Sequence, residues 1–219
     1  WVHPVHEVLE WTGPGAPGPT VAAPGVQLDH HPDPGKSRGQ YLALLELSVR
    51  EDPADDRNAH YLGREYLYHR RWDDCIAALE RHLALPSATW ADERAASMRY
   101  IARAWLQKGD PETARGWLFR AIAQAPHLRE PWMDMAGLLY GQEEWDGVLY
   151  FTGRALEIRE RPLSYICEAE PWGPLPHDLR CQAYFHTGRK DLALEEARKA
   201  LALAPEDQRL AGNVELLSG

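Results

Sequence analysis

Two short constellations near the start of the chain carry residue types suited to acid–base and metal chemistry. Val5-His6-Glu7-Val8 sets an imidazole beside a carboxylate, a pair able to accept or hand on a proton. Leu28-Asp29-His30-His31 ends an apolar stretch on two imidazoles, which as neutral rings are ligands for a divalent ion. His3, His6, His30 and His31 have the ligand type of a zinc site, but no Cys pair or helical His spacing accompanies them. A His-Glu dipeptide also arises by chance, and His30-His31 before Pro32 equally suits a polar turn. Asp55-Asp56 stands at a helix start and reads as N-capping rather than metal binding. Cys75, Cys167 and Cys181 are odd in number and irregularly spaced, so they read as reduced core fillers of a cytoplasmic protein.

The elements that would position these residues change character near residue 40. Residues 12–25, TGPGAPGPTVAAPG, are too dense in Gly and Pro for a helix or a central strand. They separate two β-capable stretches, Val2–Trp11 and Val26–His31, and a second breaker follows at His31-Pro-Asp-Pro-Gly35. From Ser37 the apolar residues Tyr41, Leu42, Leu44, Leu45 and Val49 recur at helical spacing until Asp52-Pro53. The organisation expected is therefore a short non-helical, β-capable segment over 1–36 and an all-α domain over 37–219.

Hydrophobic residues make up 44% of the 219 positions and charged residues 26%, the balance of a folded soluble domain. No apolar run approaches the roughly 20 residues of a membrane span. A net charge of −9 disfavours a nucleic-acid surface, which needs a basic excess. No basic-then-apolar signal peptide is visible, and Trp1 in place of Met predicts a fragment of a longer polypeptide. Cationic residues are mostly Arg, and the only Asn are Asn58 and Asn213, a pattern expected of a GC-rich bacterial or phage genome.

Between Arg57 and Pro205 the helical pattern repeats. The run from Tyr100 to Pro126 resembles the tetratricopeptide (TPR) unit, two antiparallel helices in about 34 residues. Ala102 and Trp105 lie on the first helix, Gly109 marks the turn, Ala114, Leu118 and Ala121 line the second, and Pro126 ends it. Three further copies centre on Gly63, Ala136 and Cys181 as the equivalent small residues. Small residues let paired helices approach, and aromatics fill the grooves between them. Surplus length falls around Pro86–Asp92 and Arg159–Pro174, where inter-repeat loops are expected. The fold expected is a TPR-like α-α superhelix of four helix pairs plus flanking helices.

In TPR proteins the first helix of each pair lines a concave groove. That resemblance places His60, Arg64, Tyr68, Arg99 and Arg103 in the groove, with Met133 and Tyr140 and then Asp178, Gln182 and Phe185 further along. Arg64, Arg99 and Arg103 would make a positive patch for carboxylates or phosphates. Pairing with nearby Glu65, Asp92 or Glu93 is the plainer alternative. The Lys/Asn clamp that holds peptide C-termini in some TPR proteins is not matched, since Asn58 is the only Asn in the array. Within 57–205 no nucleophile–base pair, Gly-rich phosphate loop or metal-spaced cluster is visible, so catalysis by the repeats themselves ranks last.

The order His6-Glu7, Leu28–His31, Lys36-Ser37-Arg38, Tyr41–Glu46, Glu51-Asp52-Pro53 and Tyr61–Tyr66 resembles bacterial family-2 glycosyltransferases that carry C-terminal TPRs. The resemblance implies a GT-A-type parent that moves a sugar from a nucleotide-sugar to a protein or glycan acceptor. It matches His6 and Glu7 to a late catalytic "HE" and His30 or His31 to a residue near the metal. A divalent Mn or Mg ion would neutralise the leaving diphosphate in that parent. The chain contains no βαβ unit or DxD motif, so no cofactor and no transfer are expected of it alone. Residues 1–36 would be a remnant of the end of the parent's catalytic domain, or else an irregular arm with a Gly/Pro loop, and 37–219 the accessory, acceptor-binding portion beside it. The alternative is a non-enzymatic TPR scaffold that binds a partner segment in its groove.

Overall fold

The computed structural model describes residues 13–15 and 39–219. The second of these stretches is built from α-helices. They are α1 (Gly39–Glu51), α2 (Asp56–Tyr68), α3 (Trp72–Ala84), α4 (Ala91–Gln107), α5 (Pro111–Gln124), α6 (Arg129–Gly141), α7 (Trp145–Glu157), α8 (Leu175–His186), α9 (Lys190–Leu203) and α10 (Gln208–Ser218). A short 3-10 turn, Glu170–Trp172, interrupts the connection before α8. The β-capable stretches Val2–Trp11 and Val26–His31 lie outside the described residues.

Helices α2 to α9 form four antiparallel pairs, with α1 packed on α2 and α10 on α9. Local chemistry sets their starts. Asp55, Asp110 and Asp207 accept backbone N–H bonds from the first turns of α2, α5 and α10, satisfying donors that have no partner within the helix. The turn inside each pair is the same device four times. Arg70, Gly109, Glu143 and Gly188 adopt φ of 57, 80, 58 and 74°, the left-handed conformation that ends a helix. Each is followed by an N–H that reaches back across the turn: Arg71 to Tyr66 (2.9 Å), Asp110 to Trp105 (3.0 Å), Glu144 to Leu139 (2.9 Å) and Arg189 to Tyr184 (2.8 Å). Two of the four repeats manage this without glycine, against an intrinsic cost of about 1–2 kcal/mol per residue.

The small positions expected from the sequence do the packing. Ala102, Ala136 and Cys181 are buried, each in a core with residues of its own pair's second helix: Ala114 and Leu118, Val148 and Ala155, Ala193 and Ala197. At Gly63 the approach is closest. A Cβ there would lie 2.3 Å from Cγ and Cδ2 of the buried Leu79. The surplus before repeat two is shared between the expected loop, residues 85–90, and a longer first helix. α4 begins at Ala91 and runs 17 residues, against 13 in α2 and α6. The surplus before repeat four is a true connection, residues 158–174, broken only by the 3-10 turn.

Gly63→Ala is expected to lower stability by about 1 kcal/mol, because overpacking of about 1–3 kcal/mol outweighs the gain in helix propensity. Urea denaturation followed by circular dichroism measures it. Glu143→Gly removes left-handed strain and is expected to raise stability by about 1 kcal/mol, with Gly109→Ala lowering it by a similar amount. Equal midpoints for those two variants and the parent would contradict the strain assignment.

Candidate partner-binding groove

The first helices of successive pairs touch one another, α2 on α4, α4 on α6 and α6 on α8, whereas the second helices make no comparable contacts among themselves. The array therefore curves with α2, α4, α6 and α8 on its inner face. The residues expected to line a groove sit on these helices, in unlike environments. Tyr68 and Tyr140 are exposed, Tyr140 with its ring edge-on to Trp145 at 5.6 Å. Arg64 lies partly covered over the Tyr61 ring, 4.6 Å from its centroid. Arg103 is 35% exposed, while Arg99 at 2% is sealed from water. His60 is fully buried, in keeping with its place one turn before Gly63 on the packing face.

The two central arginines are already matched. Arg99 donates from Nε to Asp134 Oδ2 (2.7 Å) and from Nη2 to Glu168 Oε2 (2.7 Å). Arg103 donates to Asp134 Oδ1 (2.8 Å) and to both oxygens of Glu168 (3.0 and 2.7 Å). Two guanidiniums and two carboxylates thus balance in a part-buried cluster, the planar fork on each side meeting a carboxylate. Burial alone would raise the Asp134 and Glu168 pKa values, but Arg99 and Arg103 hold both below the ordinary carboxylate range. The nearer acids have other partners: Glu65 faces His69 at 3.5 Å, Asp92 faces His127 at 2.8 Å, and Glu93 faces His82 at 3.3 Å.

Glu168 belongs to the connection between α7 and α8, and this residue draws the whole connection across the inner face. Tyr165 reaches α2 and the start of α4. Its hydroxyl donates to Glu93, and its ring stands 5.5 Å from Tyr61 and 5.6 Å from Trp90. Ile166 is buried with Cys75, Ile76, Leu79 and Tyr100. The Glu168 N–H and the Trp172 indole N–H both donate to Glu130 Oε1 on α6, at 3.2 and 3.4 Å. Arg129 closes the far end. Its guanidinium donates to the carbonyls of Ile158 and Pro171 and lies 3.9 Å from the Trp172 ring centroid. A stretch of the chain's own backbone therefore lies along α2, α4 and α6, held by aromatic, aliphatic and carboxylate contacts. Neither Asp134 nor Glu168 stands out in the sequence. The only available signal was that two inward arginines need carboxylates and that the surplus segment carries some.

Beyond this segment the inner face stays open. Arg103, Leu106, Asp134, Leu138, Leu175 and Leu179 help line a mostly apolar cavity of about 570 Å³ that also reaches Pro111 and Leu118 of α5. Behind the groove lies a buried polar chain. His60 Nδ1 and His82 Nδ1 both contact the Ser97 hydroxyl, at 2.8 and 3.0 Å. Burial pushes the His60 pKa down to about 3 despite the Glu93 charge, so its ring is neutral and contributes nothing to a positive patch. Asp55 caps α2 as expected, and the adjacent Asp56 converges with His82 and Glu93. That cluster comes from three helices, so no short spacing announced it. His6, Glu7, His30 and His31 lie outside the described residues.

No family model matches the chain, and no curated protein matches it in sequence. Solved structures do. MamA superposes with a TM-score of 0.60 at 17% identity, covering 77% of this chain and 89% of that one. Pseudomonas aeruginosa PilF gives 0.59 at 12% identity, over 80% and 71% of the two chains. YrrB, described as a TPR protein with an unusual peptide-binding site, gives 0.57 at 17%, over 81% and 82%. The fold is thus the TPR-type α-α superhelix, and among the described residues no helix is long and apolar enough to cross a membrane.

The depressed pKa values of Asp134 and Glu168 fix the sign of a pH effect. Their stabilisation is complete above the ordinary carboxylate range and is lost as pH falls through the folded values. Glu168→Gln at neutral pH is expected to mimic acid, raising amide exchange of residues 164–170 at least tenfold while α8 to α10 keep their protection. The parent protein should show that increase only below about pH 4. Unchanged exchange in Glu168→Gln would mean that the ion cluster does not hold the segment.

Proposed function

We propose that this chain is a non-catalytic TPR scaffold that binds an extended polypeptide segment along the inner face of α2, α4, α6 and α8. One observation carries the reading. Residues 158–174 already lie on that face as a polypeptide, with an aromatic at Tyr165, an aliphatic at Ile166 and an acid at Glu168, each in a matching environment. The surface is therefore chemically equipped for a partner segment of that kind. Such a segment would displace the resident one, present a carboxylate to Arg103, and place an apolar side chain in the cavity beside Leu138 and Leu175. Arg103 is the accessible member of the arginine pair, and Arg99 serves as its buried brace. The peptide-binding description of YrrB supports a peptide ligand through likeness of fold.

The ordered resemblance of residues 1–66 to TPR-bearing family-2 glycosyltransferases supports a second, finer reading. In it the scaffold sits beside a catalytic domain and offers it a protein or glycan acceptor. His6, Glu7, His30 and His31 then border a nucleotide-sugar site with a Mn or Mg ion. Reading the frame upstream of Trp1 tests it. A nucleotide-sugar domain with a DxD motif there supports this reading, and a frame without one removes it.

The scaffold reading has its own test in the full chain. Tyr165→Ala/Glu168→Ala loosens the resident segment, and a synthetic peptide of residues 163–172, with Ser for Cys167, serves as the probe. Isothermal calorimetry is expected to show saturable binding to this variant, weakened at least tenfold by adding Arg103→Glu. No binding, or binding indifferent to Arg103→Glu, rejects the groove as a polypeptide site.

A further inference from the structure

The junction of the first two repeats holds a cluster that the scaffold role does not use. Asp56 on the first turn of α2, His82 near the end of α3 and Glu93 on the first turn of α4 bring one ligand atom each within 4.8 Å of one another. His82 is fully buried, and its Nε2 makes no hydrogen bond among the described residues. Glu93 Oε1 stands only 3.3 Å from that nitrogen, yet the pair lacks hydrogen-bond geometry. Atoms at this separation that do not point at each other can point at a common centre. Two ligands bonded to tetrahedral zinc at about 2.0–2.1 Å lie about 3.3–3.4 Å apart.

The surroundings fit the same reading. The Ser97 hydroxyl has one proton for two imidazoles. With Ser97 donating to His60 Nδ1 and accepting from His82 Nδ1–H, the His82 Nε2 lone pair faces Glu93 and Asp56 and is able to ligate; in the other tautomer the same atom turns a proton toward them. A cation held between the three groups selects the first tautomer. Metal-bound imidazoles commonly donate their other N–H to a fixed partner, and Ser97 fills that role here. The second oxygen of Glu93 accepts the Tyr165 hydroxyl, which orients the carboxylate and leaves Oε1 turned toward His82. A neutral imidazole with two carboxylates gives the donor set a charge of about −2, which balances a divalent ion.

We propose that Asp56, His82 and Glu93 form a binding site for a divalent first-row transition ion, zinc foremost, with its fourth position open beside the partly exposed Asp56. The ion ties α2, α3 and α4 together, clamping the first repeat to the second. Through Glu93 and Tyr165 it also touches the segment resident in the groove. The site is independent of the scaffold reading and of His30 and His31.

The test uses the full chain stripped of metal with EDTA and titrated with Zn²⁺ alone against a chromophoric chelator. The expected result is saturable binding by the cluster, a raised unfolding temperature, and four-coordinate d–d bands when Co²⁺ replaces Zn²⁺. His82→Gln should weaken Zn²⁺ binding at least 100-fold. Asp56→Asn, at the partly exposed rim, should weaken it at least tenfold with an unchanged circular dichroism spectrum. A variant with Gln at His3, His6, His30 and His31 separates those histidines from the cluster and should keep both the stabilisation and the Co²⁺ bands. The proposal is overturned by absence of saturable binding, by binding that Asp56→Asn leaves intact, or by loss of all binding in the four-histidine variant.

Discussion

The structure turns on one sealed guanidinium. Arg99 points from α4 into a space closed to water, where a lone charge would cost several kcal/mol and must be matched in place. One match, Asp134, comes from the neighbouring repeat, and the other, Glu168, comes from the far connection. Satisfying Arg99 therefore does two things at once. It fixes α6 against α4, and it brings the 158–174 segment over the inner face, which gives that face its covered and open halves. Arg103 repeats the contacts at the water's edge, where the same chemistry is open to exchange.

Around this centre the repeats supply a frame with little tolerance. Each pair needs a small residue where its helices approach closely and a left-handed residue where the chain reverses, and the pairs must stack because one alone cannot bury its apolar face. Gly63 shows the tightness of that contact, with Leu79 occupying the space a Cβ would need. The frame also explains why polar residues on inward positions are drawn into chains rather than left facing solvent. His60, Ser97 and His82 lie at such positions and are linked across three helices through the Ser97 hydroxyl, which meets the Nδ1 atom of each ring.

The covered half and the buried chain are physically joined. Tyr165 donates to Glu93 at one edge of the segment, and Glu168 meets the arginines a few residues on. Displacing the segment therefore reaches both the ion cluster and the environment of His82 and Glu93. The inner face is a surface whose present occupant belongs to the chain itself, and its exposed chemistry is only part of its binding chemistry.

The helical content, the breaks at Asp52-Pro53 and Pro126, and the small-then-bulky order around Ala102 and Ala136 were legible in the sequence because they are local. Their periodicity and punctuation act within a few residues. The turn residues Arg70 and Glu143 were not legible, since neither is a glycine and the repeat frame imposes their conformation. The content of the groove was not legible either. The inward face of His60, the pairing of Arg99 with Glu168, and the meeting of Asp56, His82 and Glu93 join residues far apart in the chain. Only the tertiary structure could decide these, because the forces involved, desolvation of a buried charge and the need to match it, exist only once the repeats have stacked.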